Sequence, residues 1–274
     1  MGKRVLIYRR GGLGDTLLTF PILEILKNRD FQIVFLGNED YIHLAKYFGL
    51  ADEVYSSEYL TFLKKQPFDR MIIISQDGNL KPFPKERIWL PLYYLQELNL
   101  VADKFSRFLP SSKCNLPREK KALLHPGSGS QKKNPPFTLF RKIEQFLKER
   151  NYQVQYLFGP AEEDRLLDIK ESGTIQNLIY ERDIIEITNL FNEVELYVGN
   201  DSGISHLASY QGVKCYLFYG PSDEVVFGPI GQETKVISLS LPCRPCFPKD
   251  CEERLCLDVE SLWQAFLKSF DDFP

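Results

Sequence analysis

A carboxylate follows a glycine-rich turn in Arg10-Gly11-Gly12-Leu13-Gly14-Asp15. Glycines let the backbone turn sharply there and let another molecule approach closely. A helix that opens at this point offers free N–H groups to an anion, and a carboxylate beside a hydroxyl can take its proton. Asp15 equally suits an N-cap or first-turn position, where its charge favours the helix dipole. The two readings are compatible. The turn lacks the G-x-G-x-x-G spacing of a dinucleotide fingerprint, and no G-x-x-x-x-G-K-[ST] occurs, so on its own it specifies no nucleotide.

Two further loops carry phosphate-binding chemistry. His125-Pro126-Gly127-Ser128-Gly129-Ser130-Gln131-Lys132-Lys133 brings hydroxyls, glycine amides and two ammonium groups together, a set that suits phosphate oxygens. Its plainer reading is a solvated loop with a charged pair. Gly199-Asn200-Asp201-Ser202-Gly203-Ile204-Ser205-His206 follows an apolar strand and leads into Leu207 and Ala208. Small and hydroxyl residues at such a junction expose the first amides of a helix to a diphosphate, with His206 able to donate to a phosphate oxygen. A capping aspartate and a core histidine would be the purely structural account of the same residues. Gly220-Pro221-Ser222-Asp223 and Phe227-Gly228-Pro229-Ile230-Gly231 follow the next strand; they shape the wall near a sugar or are simply turns. No Asp-x-Asp pair occurs, which argues against a cation bridging donor phosphates. Charge on a departing diphosphate would then fall to Lys132 or Lys133, a helix terminus and backbone amides.

Of the six cysteines, Cys114 and Cys215 stand alone and Cys243, Cys246, Cys251 and Cys256 crowd into residues 243–256. Four thiolates so close can build a tetrahedral zinc site, although the spacing departs from paired C-x-x-C knuckles. Disulfides are the rival reading, and in a cytoplasm they call for a hyperthermophilic source. Zinc, disulfides and free thiols all stay open.

The elements that must position these groups alternate along the chain. Apolar runs at 5–8, 32–36, 71–74, 122–125, 154–158, 178–180, 195–199, 215–219 and 235–239 read as strands. Helical patterns lie between most of them: from Asp15 to about Asn28, through Leu44 to Phe48, over 90–100, around Phe137–Glu149, and from about Ala161. Such alternation predicts parallel sheets covered by helices on both faces. The polar, proline-bearing stretch from Pro110 to Lys121 reads as a linker. Both halves begin with a strand, a glycine-rich loop and an amphipathic helix. The expectation is therefore an α/β chain of two Rossmann-like domains, residues 1–116 and 117–274, facing a cleft of the kind that favours ligands.

The 274 residues carry a net charge of −3, with 43% hydrophobic and 26% charged residues. That is an ordinary globular composition and argues against a general nucleic-acid binder. No apolar run approaches the ~20 residues of a spanning helix, and the opening lacks a signal peptide's apolar core, so a cytoplasmic location is expected.

Taken in order, VLIYRRGGLGDTLLTFPILEILK, HPGSGSQKKNPPFTLF, LFGPAEEDR and VGNDSGISHLASYQGVKCYLFYGPSD resemble glycosyltransferase family 9, the bacterial ADP-heptose:lipopolysaccharide heptosyltransferases and their relatives. The resemblance implies a GT-B-type fold and inverting, metal-independent transfer from a nucleotide-sugar donor. The donor is bound by the second domain and a lipid-linked oligosaccharide acceptor by the first, with peripheral contact at the inner membrane. It makes Asp15 the catalytic base, beside the acceptor-side loop of Arg10, Gly11, Gly12 and Gly14. It makes Lys133 the loop lysine, with Lys132 adjacent, and assigns Asp201, Ser202, Gly203, Ile204 and His206 to the diphosphate, flanked by Ser128, Gly129 and Ser130. Glu162, adjoining Glu163 and Asp164, matches the acid that approaches the nucleoside ribose. No cofactor is implied for the transfer. Two departures stand out: Asn134-Pro135 replaces the usual aromatic residue after the lysine, and the first half is short, which loosens the acceptor assignment. A GT-B enzyme with another donor or acceptor, and a non-catalytic sugar-nucleotide-binding protein, are the alternative readings.

Overall fold

The computed structural model describes residues 2–110, 119–163, 177–247 and 251–271. The chain divides into two compact units, Met1–Ser111 and Ser112–Pro274. The expected boundary at 116/117 lies outside the described residues, as do Cys114, Asp164 and most of the helix expected from Ala161.

The first unit is a parallel four-stranded sheet in the order β3-β2-β1-β4. Its strands are β1 (Lys3–Arg9), β2 (Phe31–Gly37), β3 (Glu53–Ser56) and β4 (Arg70–Ile74). Val5, Leu6 and Ile7 of the central strand are fully buried. A parallel strand covered on both faces must be apolar without alternation, and VLI reads so for that reason. Around the sheet lie α1 (Leu13–Leu17), α2 (Phe20–Asn28), α3 (Glu39–Tyr47), α4 (Leu60–Leu63) and α5 (Leu90–Glu97). The single helix expected from Asp15 to Asn28 is in fact two. Pro21 at the start of α2 has no N–H for the carbonyl four residues earlier and crowds it, so α1 stops at Leu17. Edge strand β3 was not foreseen, because its four half-buried residues, EVYS, carry no apolar run.

The second unit is a parallel six-stranded sheet in the order β10-β9-β8-β5-β6-β7. The strands are β5 (Glu119–His125), β6 (Gln153–Phe158), β7 (Leu178–Tyr180), β8 (Val194–Asn200), β9 (Lys214–Phe218) and β10 (Thr234–Ile237). Glu119, Lys120 and Lys121 belong to β5 and not to a linker. Strand pairing outweighs their polarity because this end of β5 is exposed and solvates the charges. The helices among the described residues are α6 (Phe137–Lys148), α7 (Ile184–Leu190), α8 (Gly203–Tyr210) and α9 (Val259–Asp271). Helix α9 returns onto the sheet, burying Leu262 and Phe266, and Phe266 meets Phe146 of α6 edge to face with centroids 5.7 Å apart. Burying such rings contributes roughly 2–3 kcal/mol each. Strands β5 and β8 are neighbours at the sheet centre, so their C-terminal loops emerge side by side. No helix among the described residues is long and apolar enough to cross a membrane.

Candidate active site

In the first unit, β1 ends at Arg9 and the chain turns through Arg10, Gly11 and Gly12 into α1. Asp15 sits in the first turn of that helix, and its Oδ2 accepts the Gly12 N–H at 3.0 Å. Its Oδ1 lies 2.6 Å from Nη2 of Arg9. A side chain on Gly11 would come within 2.7 Å of the Asp15 carboxylate, which is why glycine stands there. Arg9 is 6% exposed at its side chain and Asp15 29%, so the arginine is fixed while the carboxylate still reaches solvent. Nη1 of Arg9 donates to the Arg10 carbonyl at 3.0 Å, and its guanidinium covers the Phe83 ring at 5.5 Å. Arg10 and Gly12 are exposed and Gly14 is half-buried. The first-turn reading of Asp15 is borne out: it accepts the Gly12 N–H at the start of α1, and its carboxylate still reaches solvent. Arg9 escaped the sequence analysis, because in a one-dimensional string it is only the last residue of a strand.

In the second unit, Ser202 is the N-cap of α8, its Oγ accepting the Ser205 N–H at 3.2 Å. Gly203 and Ile204 open the helix behind it. Lys133, at the end of the short turn Gln131–Lys133, lies 3.0 Å through Nζ from Oδ2 of Asp201. Oδ1 of Asp201 lies 4.0 Å from Nε2 of His206, and both residues are buried. Lys132 and Gly129 are exposed, Ser130 is half-buried, and Ser128 is buried. Asp201 is therefore no bare anion. It neutralises and orients Lys133.

Asn134, a departure in the sequence, is a tie between loops. Its buried Oδ1 stands 2.7 Å from Oγ of Ser128 and accepts Nδ2 of Asn200 at 3.2 Å. Nδ2 of Asn200 also donates to the Pro126 carbonyl at 2.7 Å. One buried amide at the end of β8 thus fixes the start and the end of the lysine loop. Below it, the Tyr197 hydroxyl lies 3.1 Å from Nδ1 of His125 and 3.0 Å from Oγ of Ser205. Burial pushes that phenol well above its ordinary pKa, so it stays a neutral hydrogen-bonding group. Nε2 of His125 stands 3.6 Å from Oε1 of Glu162, whose Oε2 accepts the Gly159 N–H at 2.9 Å. A side chain on Gly127 would strike Glu162 at 2.2 Å. Glu162 is thus cradled and buried, with its carboxylate engaged by the protein's own groups. Asn200, Asn134, Tyr197 and His125 were missed as site residues, since buried amides and phenols carry no spacing signal.

No disulfide joins the four clustered cysteines, of which Cys243 and Cys251 are exposed, Cys246 is half-buried and Cys256 is buried. Cys246, Cys251 and Cys256 line one cavity of about 240 Å³ together with Gln131, Lys132 and Arg254. As they stand, no three His, Cys, Asp or Glu side chains among the described residues are arranged to hold a metal ion.

Residues 93–256, more than half of the chain, match the model of glycosyltransferase family 9 (heptosyltransferase). A stretch of 114 residues, 41% of this chain, is 29% identical to lipooligosaccharide heptosyltransferase 2 of Campylobacter jejuni subsp. jejuni serotype O:2 and spans 29% of that protein's length. The structure of E. coli ADP-heptose lps heptosyltransferase II is similar over 98% of this chain and 99% of that one, with a TM-score of 0.72 at 16% identity. A family 9 glycosyltransferase from Veillonella parvula gives 0.71 at 17% identity, over 85% of each chain. At these identities the structural likeness is one of fold, a GT-B-type pair of Rossmann-like domains.

Proposed function

We propose that this chain, which belongs to glycosyltransferase family 9, transfers a heptose or related sugar from a nucleotide-sugar donor, ADP-heptose, to a hydroxyl of a lipopolysaccharide inner-core acceptor. The observation that carries this reading is the Lys133–Asp201 pair, 3.0 Å apart beside the N-terminus of α8 and within the residues that match the family. An ammonium group held beside free helix amides is suited to a diphosphate. The E. coli structural relative is, by its name, an ADP-heptose enzyme, which supports that donor.

In this reading Asp15 accepts the proton of the acceptor hydroxyl while that oxygen attacks the anomeric carbon from the face opposite the diphosphate. The bond from the anomeric carbon to the diphosphate oxygen breaks, and its electron pair leaves with the nucleoside diphosphate. The sugar emerges inverted. Lys133, the amides of Gly203 and Ile204, and His206 stabilise the charge on the leaving group without a metal ion. Ser128, Gly129, Ser130 and Lys132 complete the phosphate side. Glu162 takes the nucleoside ribose by exchanging the Gly159 amide for a ribose hydroxyl. No cofactor enters the transfer; a zinc ion on Cys243, Cys246, Cys251 and Cys256 would be structural. A lipid-linked acceptor requires only peripheral contact with the membrane surface.

The test is a donor screen with ADP-, UDP-, GDP- and CMP-sugars, following nucleotide release with and without acceptor. Turnover of ADP-heptose is the expected result. If another donor turns over and ADP-heptose neither binds nor reacts, the heptosyl reading is rejected.

A further inference from the structure

Among its described residues, the cysteine-bearing segment before α9 carries one short turn, Leu255–Leu257. It is nevertheless bound to two donor-side loops at once. Arg244, 7% exposed at its side chain, donates through Nη2 to the Ser222 carbonyl at 3.1 Å and to Oε2 of Glu224 at 2.9 Å, and through Nε to the Gly220 carbonyl. The N–H groups of Cys246 and Phe247 both reach the Pro221 carbonyl, at 2.9 and 3.0 Å. At its other end, Nη2 of Arg254 donates to the carbonyls of Gln131 at 3.1 Å and Asn134 at 2.7 Å. Those two carbonyls bracket Lys133, whose Nζ also stands 5.2 Å from the Phe247 ring centroid.

Arg254 occupies the left-handed region, with φ 46°. A residue with a side chain resists that conformation, so it persists where surrounding contacts over-determine it. Here the contacts that do so are the bonds to the lysine loop. Gly220 packs closely against the same segment, since a side chain there would come within 2.4 Å of the Leu257 side chain and oblige it to shift.

We propose that the segment carrying Arg244, Phe247 and Arg254 is a strap that fixes the donor loop, and that Arg254 is the positioning residue that sets where Lys133 stands. The proposal rests on the donor reading above for its ligand, a nucleoside diphosphate, but not for the strap itself. Arg254 adds to the backbone of the turn Gln131–Lys133 what its local bonds do not supply, those being the Lys133 N–H to the Ser130 carbonyl and the Asn134 N–H to the Gln131 carbonyl, while Asp201 holds only the far end of the Lys133 side chain.

The experiment compares the full chain with its Arg254→Ala and Arg254→Lys variants in two measurements. Amide hydrogen exchange at Lys133 and Asn134 is followed in the unliganded protein, and ADP binding is measured by calorimetry. Arg254→Ala is expected to speed exchange at both amides and to weaken ADP binding by roughly three- to tenfold, with exchange in β5 and the melting temperature nearly unchanged. Lysine restores part of each effect, because an ammonium group can still reach the two carbonyls. Unchanged exchange at Lys133 and Asn134 overturns the strap. Faster exchange with undiminished ADP affinity overturns the positioning role. If the unsubstituted chain binds none of ADP, UDP, GDP and CDP, the donor reading fails, and the exchange measurement alone decides for or against the strap.

Discussion

Nζ of Lys133 lies 3.0 Å from Oδ2 of Asp201, with the lysine side chain 18% and the aspartate 9% exposed. The pair joins the loop after β5 to the end of β8 and places one ammonium group beside the opening amides of α8. A carboxylate so close to a diphosphate would repel it. Paired with Lys133, it instead fixes the cation's position, and in the proposed reaction the loop would meet the donor as a preset charge.

The two halves of that pair are therefore expected to fail differently. Lys133→Ala removes the charge proposed to meet the diphosphate and leaves Asp201 without its ammonium partner, so ADP affinity is expected to fall by about tenfold or more. Asp201→Asn keeps the ammonium group and loses its anchor, so the loss of affinity is smaller and the spread of loop conformations larger. Calorimetry with ADP separates the two; equal affinity in Lys133→Ala and the unsubstituted chain would move the role to Lys132 or the backbone amides.

Asp15→Asn is expected to lower transfer by about 10²–10⁴-fold, the usual span for a positioned general base, while ADP affinity stays within a factor of about two. The amide still accepts the Gly12 N–H, so the helix cap survives. Arg9→Ala tests the partner: with Nη2 gone from its place 2.6 Å from Oδ1, Asp15 keeps only the Gly12 bond to orient it. Loss of kcat with little change in donor KM is the expected signature. Wild-type turnover in Asp15→Asn would remove the residue from the mechanism.

How far this site was legible in the sequence follows from burial. Strands covered on both faces read as apolar runs, so β1 and β8 stood out, and with them the loops at their ends. The half-buried edge strand β3 did not. Asp15 and Lys133 could be found because a glycine-rich turn and a Gly/Ser loop surround them. Arg9 could not, since only the turn back through Gly11 brings its guanidinium to Asp15. Asn134 looked like a departure from pattern, and its partner Asn200 lies 66 positions away, a distance no local spacing can span. The helix break before Pro21 was readable in principle, because proline's missing N–H is a local property.

Gly127→Ala places a methyl group where Glu162 stands, 2.2 Å from its side chain. Either the glutamate leaves its cradle against His125 and Gly159 or the loop shifts, at a cost of about 1–3 kcal/mol. Thermal melts read the stability loss, and ADP calorimetry reads whether Glu162 serves the nucleoside. A melting temperature and affinity both unchanged would mean the loop absorbs the methyl group freely.

The cysteines differ in what a thiol reagent should meet. Cys243 and Cys251 are exposed, while Cys256 is buried and its thiol is pushed up by desolvation, with Cys246 and Cys243 adding to the shift. A raised pKa means less thiolate at neutral pH, and the thiolate is the nucleophile. Iodoacetamide at neutral pH is therefore expected to modify Cys243 and Cys251 first and Cys256 last. The lag shortens as pH rises and Cys256 ionises, as peptide mapping over a pH series would read. A bound zinc ion would change this order, because four coordinated thiolates are protected together and released together by a chelator. Metal analysis on the same preparation distinguishes the cases: one equivalent of zinc with uniform protection establishes a tetrahedral site on the four cysteines. Graded reactivity without metal establishes free thiols along the strap. Disulfides would show as thiols missing from the count until a reductant is added.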